Sequence, residues 1–210
     1  MIKKALIELQ YLPCLEFFTF IYQLDQLIIE CNENFVKQTF RNRTNILNAN
    51  GETSLTIPVL KSNSKILIRK IEIDNSQNWM KSHWRSIQSS YGKAPYFEYY
   101  SEEFRNIFSK KEKYLFDFNW HLLTLCLKNL QINKVIIFTK SYEKAPESSI
   151  LDIRSIIHPK VEYSTRSYYQ PIPYIQLFGN KFVPNLSIID LLFCEGPNAS
   201  NIIAQSAVKS

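Results

Sequence analysis

The opening thirty residues constrain this chain more than any other stretch. Ala5-Leu6-Ile7-Glu8-Leu9 is an apolar run of strand length, and Gln10-Tyr11-Leu12-Pro13 breaks it. From Cys14 to Leu24 apolar residues fall at 14, 15, 17, 18, 21 and 24, a helical distribution, and Gln26-Leu27-Ile28-Ile29-Glu30-Cys31 reads as a second strand. Strand, loop, helix, strand is the order of a βαβ unit with parallel strands. In such a unit the loop after the first strand sits at the carboxyl end of the sheet, where α/β proteins gather their ligands.

The rest of the chain extends this α/β reading. Asn50-Gly51 stands between the apolar, alternating runs Asn42–Leu47 and Ser54–Val59, which predicts a β-hairpin near residues 43–59, with Pro58 at its limit. Ile66–Ile73 is a further strand candidate. A helix follows, capped by Asp74 or Ser76 and stopped at Gly92, with Met80, Trp84, Ile87 and Tyr91 as its apolar stripe. Ser101–Ser109 and Leu115–Leu130 read as helices, Lys134–Thr139 as a buried strand, and Ile150–Ile157 as a short helix among prolines. Ser187 and Asp190 form a capping-box pattern at the start of a last helix. The expectation is a single α/β domain over residues 1–197, its mixed and partly parallel sheet flanked by helices and by the hairpin. A loose tail is expected over 198–210.

Composition narrows the chemistry. The four glycines, at 51, 92, 179 and 196, are too dispersed for a dinucleotide-binding fingerprint or a P-loop. The four cysteines form no C-x-x-C pair and the three histidines complete no ligand set, so neither a metal nor another cofactor is implied, and a reduced cytoplasmic setting fits. Lys3-Lys4 before an apolar stretch resembles a signal peptide, but Glu8, Pro13 and Glu16 interrupt it, and no run is long enough for a membrane span. Of the formal +6, residues 36–93 carry ten Lys and Arg against three Asp and Glu, so the basicity belongs to one stretch. An anionic ligand, such as a nucleotide- or carrier-activated small molecule, is the partner to expect there.

Within that stretch Lys37, Arg41, Asn42 and Arg43 gather cations with a neutral amide. Guanidinium forks suit phosphate or carboxylate. On the helix that follows, roughly 100° per residue places His83 about 60° from the centre of the apolar stripe, at a boundary that suits a general acid or base. Trp79 shares that border, and Arg85 projects from the other side. The same position also suits a half-buried structural histidine.

Several of these segments together resemble the WbqC-like protein family: Tyr11-Leu12-Pro13, Lys37 to Arg43, the Asn50-Gly51 turn into Leu55–Val59, Lys81 to Ile87, and Ala94-Pro95-Tyr96-Phe97. Leu186–Phe193 with Glu195-Gly196-Pro197 looks like the branch of that family found in Bacteroidetes-type bacteria. The resemblance implies a transferase in the synthesis of O-antigen and other surface polysaccharides, acting on amino-sugar intermediates. It also implies a departure. Many members carry His-Gln-Pro after the first strand, where this chain has Leu9-Gln10-Tyr11. The expectation is that Arg41 and Arg43, assisted by Lys37 and Arg85, hold an anionic donor while His83 moves a proton and Gln10, Tyr11, Asn42 and Trp79 line the site. The alternative is a non-catalytic module for nucleic acid or an acidic partner, although no nucleic-acid-binding motif is present. Oligomeric state is not legible.

Overall fold

The computed structural model describes residues 4–60 and 65–208. The predicted βαβ unit forms: β1 (Lys4–Glu8), α1 (Leu15–Tyr22) and β2 (Gln26–Glu30), with β1 and β2 paired in parallel. Two further strands, β5 (Val135–Phe138) and β6 (Leu151–Asp152), extend the sheet to the order β5-β2-β1-β6, every pair parallel. Ala5, Ile7, Leu27 and Ile29 are buried, as expected of central parallel strands that meet protein on both faces.

The hairpin also forms. β3 (Arg43–Asn48) and β4 (Gly51–Thr56) pair antiparallel from Arg43↔Thr56 to Asn48↔Gly51, and Gly51 takes the positive φ of 101° that the turn demands. This ribbon is a separate two-stranded sheet. It is tied to the β1–α1 loop by the Thr44 hydroxyl, which donates to the Leu12 carbonyl. Helices α2 (Trp79–Tyr91), α3 (Phe97–Ser109) and α4 (Leu115–Asn129) follow in close sequence, and Phe193 of α5 (Ile188–Glu195) packs among Tyr91, Phe97 and Phe104. Gly92 does stand at the end of α2, where a Cβ would meet the Gln88 carbonyl oxygen at 2.6 Å.

Five local expectations are corrected. Ile66–Ile73 is not a strand but a single 3-10 turn (Ile68–Lys70) between isolated bridges, because its backbone groups pair with three different loops rather than one neighbour. The predicted helix at 150–157 contains the two-residue strand β6 (Leu151–Asp152), drawn into extension by the open edge of β1. Strand β5 (Val135–Phe138) exists, but at the sheet edge, where Val135 is 60% exposed rather than buried. The caps expected of Asp74, Ser76 and Ser187 do not form. Asp74 accepts bonds from Ser76 and Gln77 before the helix, while Ser187 donates to Leu12 and Asp190 receives Tyr174 and Gln176. Of the expected tail, residues 209–210 lie outside the described residues, and 198–208 are not loose. They contain α6 (Ala199–Ser206), which buries Ile202 and Ile203 and packs on α1, so apolar spacing outweighs terminal position.

Candidate functional site

Each strand of the parallel sheet ends on a polar group at the same, carboxyl, end. β1 ends in Glu8, β2 in Glu30 and β6 in Asp152, and Thr139 follows β5 by one residue. Glu8 and Glu30 are fully shielded from solvent, so their charges must find partners inside the protein. Two arginines supply them. Arg41 lies wholly buried before the hairpin and grips Glu33 with a two-pronged contact, Nε to Oε1 and Nη2 to Oε2, both 2.6 Å, with Glu8 Oε2 at 3.8 Å from Nη2. Arg154, two residues past β6, donates to Asp152 through Nε (2.9 Å) and Nη2 (2.6 Å) and to Glu30 through Nη1 (2.8 Å).

Neutral groups complete the network. The Thr139 hydroxyl and the Asn32 backbone N–H both donate to Glu30 Oε1. The Gln10 amide donates to Glu8 Oε1 (3.0 Å), and the Ser155 backbone donates to Glu8 Oε2 (2.8 Å). Arg41 Nη2 also donates to the Ser155 hydroxyl oxygen (3.0 Å), and Ser155 holds a left-handed φ of 60°. Such strain in a residue with a side chain persists only where the surroundings enforce it, commonly at functional sites.

Beside this network opens a cleft of about 480 Å³, walled by Glu33, Asp152, Arg154 and Ser155 with Asn32 and Asn34. Tyr142 lies over the Arg154 guanidinium at 4.7 Å and forms another wall. Burial raises the Glu33 carboxyl above its ordinary range, against the pull of Arg41. Burial also opposes charge on Asp152, yet the hydrogen bonds from Arg154 hold that carboxyl below its ordinary range. One cleft therefore presents two carboxylates of different basicity, the arrangement that separates acid from base roles.

The residues singled out from the sequence fall into two groups. Gln10 and Arg41 belong to the network. His83, Tyr11 and Trp79 meet elsewhere, in a closed aromatic box. The Tyr11 hydroxyl and His83 Nδ1 lie 2.9 Å apart, the two rings stack at 5.8 Å, Trp79 stands edge-on to His83 at 5.2 Å, and Phe118 borders both Tyr11 and Trp79. Burial pushes the His83 pKa down to about 4, with a bond to the Thr56 backbone working against it. The ring is neutral at physiological pH, with one N–H to give and one nitrogen to accept, and Nδ1 shares a hydrogen bond with the Tyr11 hydroxyl.

The cations do not converge on His83. Arg41 is neutralised at the strand ends. Arg43 opens β3 opposite Thr56, with its Nε unpartnered among the described residues. The Asn42 amide is spent on the Ile57 carbonyl (2.9 Å), and Lys37 and Arg85 are exposed. Sequence reading passed over Glu8, Glu30, Glu33, Asp152, Arg154 and Ser155. A signal was available: an acid closes the apolar runs Ala5–Ile7 and Leu27–Ile29 and follows Leu151.

The model of the WbqC-like protein family matches residues 10–167 and 160–202. The chain belongs to the WbqC-like protein family. It is also 27% identical to the uncharacterized protein Rv1507c of Mycobacterium tuberculosis (strain ATCC 25618 / H37Rv), over 96% of this chain and 97% of that protein. No solved structure matches. The WbqC-like match begins at Gln10, directly after Leu9. Leu9 is a buried core residue, while Gln10 reaches back to Glu8. No helix among the described residues is long and apolar enough to cross a membrane.

Proposed function

We propose that this WbqC-like protein is a cytoplasmic transferase of surface-polysaccharide (O-antigen type) synthesis, moving an activated acyl, aminoacyl or sugar group onto an amino-sugar type acceptor in the cleft at the strand ends. The observation that carries the reading is one buried network that joins polar groups from the ends of all four parallel strands and opens onto that cleft through Glu33, Asp152, Arg154 and Ser155. Buried ion pairs are a poor route to stability, since desolvation offsets their attraction. Placing them where α/β sheets bind ligands gives them a functional reason.

In this mechanism Glu33 is the base. Its raised pKa suits it to take a proton from the acceptor amine as the nitrogen attacks the donor's electrophilic carbon, with the donor's carrier as leaving group. Arg41 positions Glu33 from behind. Asp152, held ionised by Arg154, accepts a hydrogen bond from the acceptor. The anionic part of the donor meets the exposed Lys144 of the cleft wall and Lys37, which follows the wall residue Val36. His83 holds Tyr11, and through it the loop after β1, and moves no proton.

The test is complementation in the native host with the chromosomal copy deleted. Wild type restores surface polysaccharide, whereas Asp152→Asn and Arg154→Ala, checked for folding by thermal melting, do not. Normal polysaccharide from both variants would overturn the proposal.

A further inference from the structure

The network has one member whose position no packing role explains. Ser155 is exposed to the cleft, yet its backbone is held in the left-handed region and both its polar groups are engaged from beneath. The buried Glu8 carboxylate fixes its N–H, and the buried Arg41 guanidinium donates into its hydroxyl oxygen at 3.0 Å. A hydroxyl whose oxygen receives a bond from a cation becomes a stronger donor through its own hydrogen. Among the described residues that hydrogen has no acceptor.

The charges around it define what it can meet. Glu33, Asp152 and Arg154 line the cleft, with Lys144 exposed at its rim, and Glu8, Glu30 and Arg41 lie buried behind them. Apart from that lysine, the six inner groups carry a formal surplus of two negative charges. Such a wall disfavours a phosphate or carboxylate. It favours an uncharged, hydroxyl-bearing group that gives hydrogens to the carboxylates and offers an acceptor oxygen of its own.

We infer that Ser155 is a substrate-contacting residue of this cleft, donating its hydroxyl hydrogen to an uncharged carbonyl or hydroxyl oxygen of the ligand, and that Arg41, besides positioning Glu33, acts on the ligand through it. The inference rests on the proposed site and assigns its inner end to the neutral part of the substrate. The anionic part stays at the lysine rim.

The experiment uses N-acetylglucosamine, a neutral sugar carrying a carbonyl oxygen, as probe. Its binding to the full chain is titrated by ligand-observed NMR, with inorganic phosphate as competitor. Ser155→Gly removes the hydroxyl and relieves the strained backbone at once, Ser155→Ala removes the hydroxyl alone, and Ser155→Thr keeps it. Wild type and Ser155→Thr bind the sugar, phosphate does not compete, and both hydroxyl-deleted variants bind about tenfold more weakly. The melting temperature of Ser155→Gly is not lowered. Absence of binding to wild type, equal binding by Ser155→Gly, or displacement by phosphate would each overturn the inference. If Asp152→Asn abolishes polysaccharide synthesis while Ser155→Gly binds the sugar normally, this inference alone falls. If Asp152→Asn is silent, the site itself falls.

Discussion

Two buried polar clusters in this molecule look alike in sequence and differ in kind. At the strand ends, four carboxyl groups and two guanidiniums are paired in one network, and Glu33, Asp152 and Arg154 of it border an open cleft. Around His83, a phenol and an imidazole are held neutral inside an aromatic box. The first cluster keeps charges that cost desolvation energy and exposes one edge of them; the second removes its charge and closes. The contrast shows that a titratable residue expected at an amphipathic boundary is not yet a site. What decides is whether its partners leave capacity unspent toward an opening.

The comparison can be broken most sharply at its charged end. Arg41→Ala leaves the Glu33 and Glu8 carboxylates buried without their counter-charge, and is expected to cost about 3–5 kcal/mol in urea unfolding. A loss within ordinary surface values would mean that water replaces Arg41 and the cluster is not truly buried. The next effect separates the two regions by pH. His83 titrates near 4 when folded and near its ordinary value when unfolded. Between those values the unfolded chain binds the extra proton, so the box contributes stability above the ordinary histidine pKa and loses it as pH falls toward 4. The loss is about 3 kcal/mol at the lower limit. His83→Gln should flatten that part of the stability–pH curve; an unchanged curve would show that the ring is not held neutral. Smaller again, Tyr11→Phe deprives Nδ1 of its hydrogen-bond partner and should cost about 1–3 kcal/mol. The smallest effect is expected for Arg85→Ala, an exposed position on α2, within about 0.5 kcal/mol in thermal unfolding and without effect on polysaccharide output. A loss of output there would move the site toward the box.

Much of the fold was legible because local and global signals agree in it. The βαβ opening, the Asn50-Gly51 turn and helices α2 to α5 each follow from periodicity or turn chemistry. The failures share one cause: Ile66–Ile73, Leu151-Asp152 and α6 take their form from neighbours distant in sequence. The candidate site was less legible for the same reason. Arg41 was visible as a cation, but its partners Glu8, Glu33 and Ser155 come from three other segments. His83 was expected at a boundary of α2, but it is buried on the core face of that helix with Trp79, Ile87 and Tyr91, and Tyr11, seventy-two positions away, is what closes it in. The carboxylates that end the apolar strand runs were the unread clue.

The most direct test of the account is the polysaccharide output of Asp152→Asn in the deletion host, measured beside His83→Gln with both proteins shown to be folded. Asp152→Asn is predicted to lower output by about tenfold or more, while His83→Gln, once folded, leaves it close to wild type. The reverse pattern, with Asp152→Asn normal and folded His83→Gln inactive, would contradict the placement of the site at the strand ends.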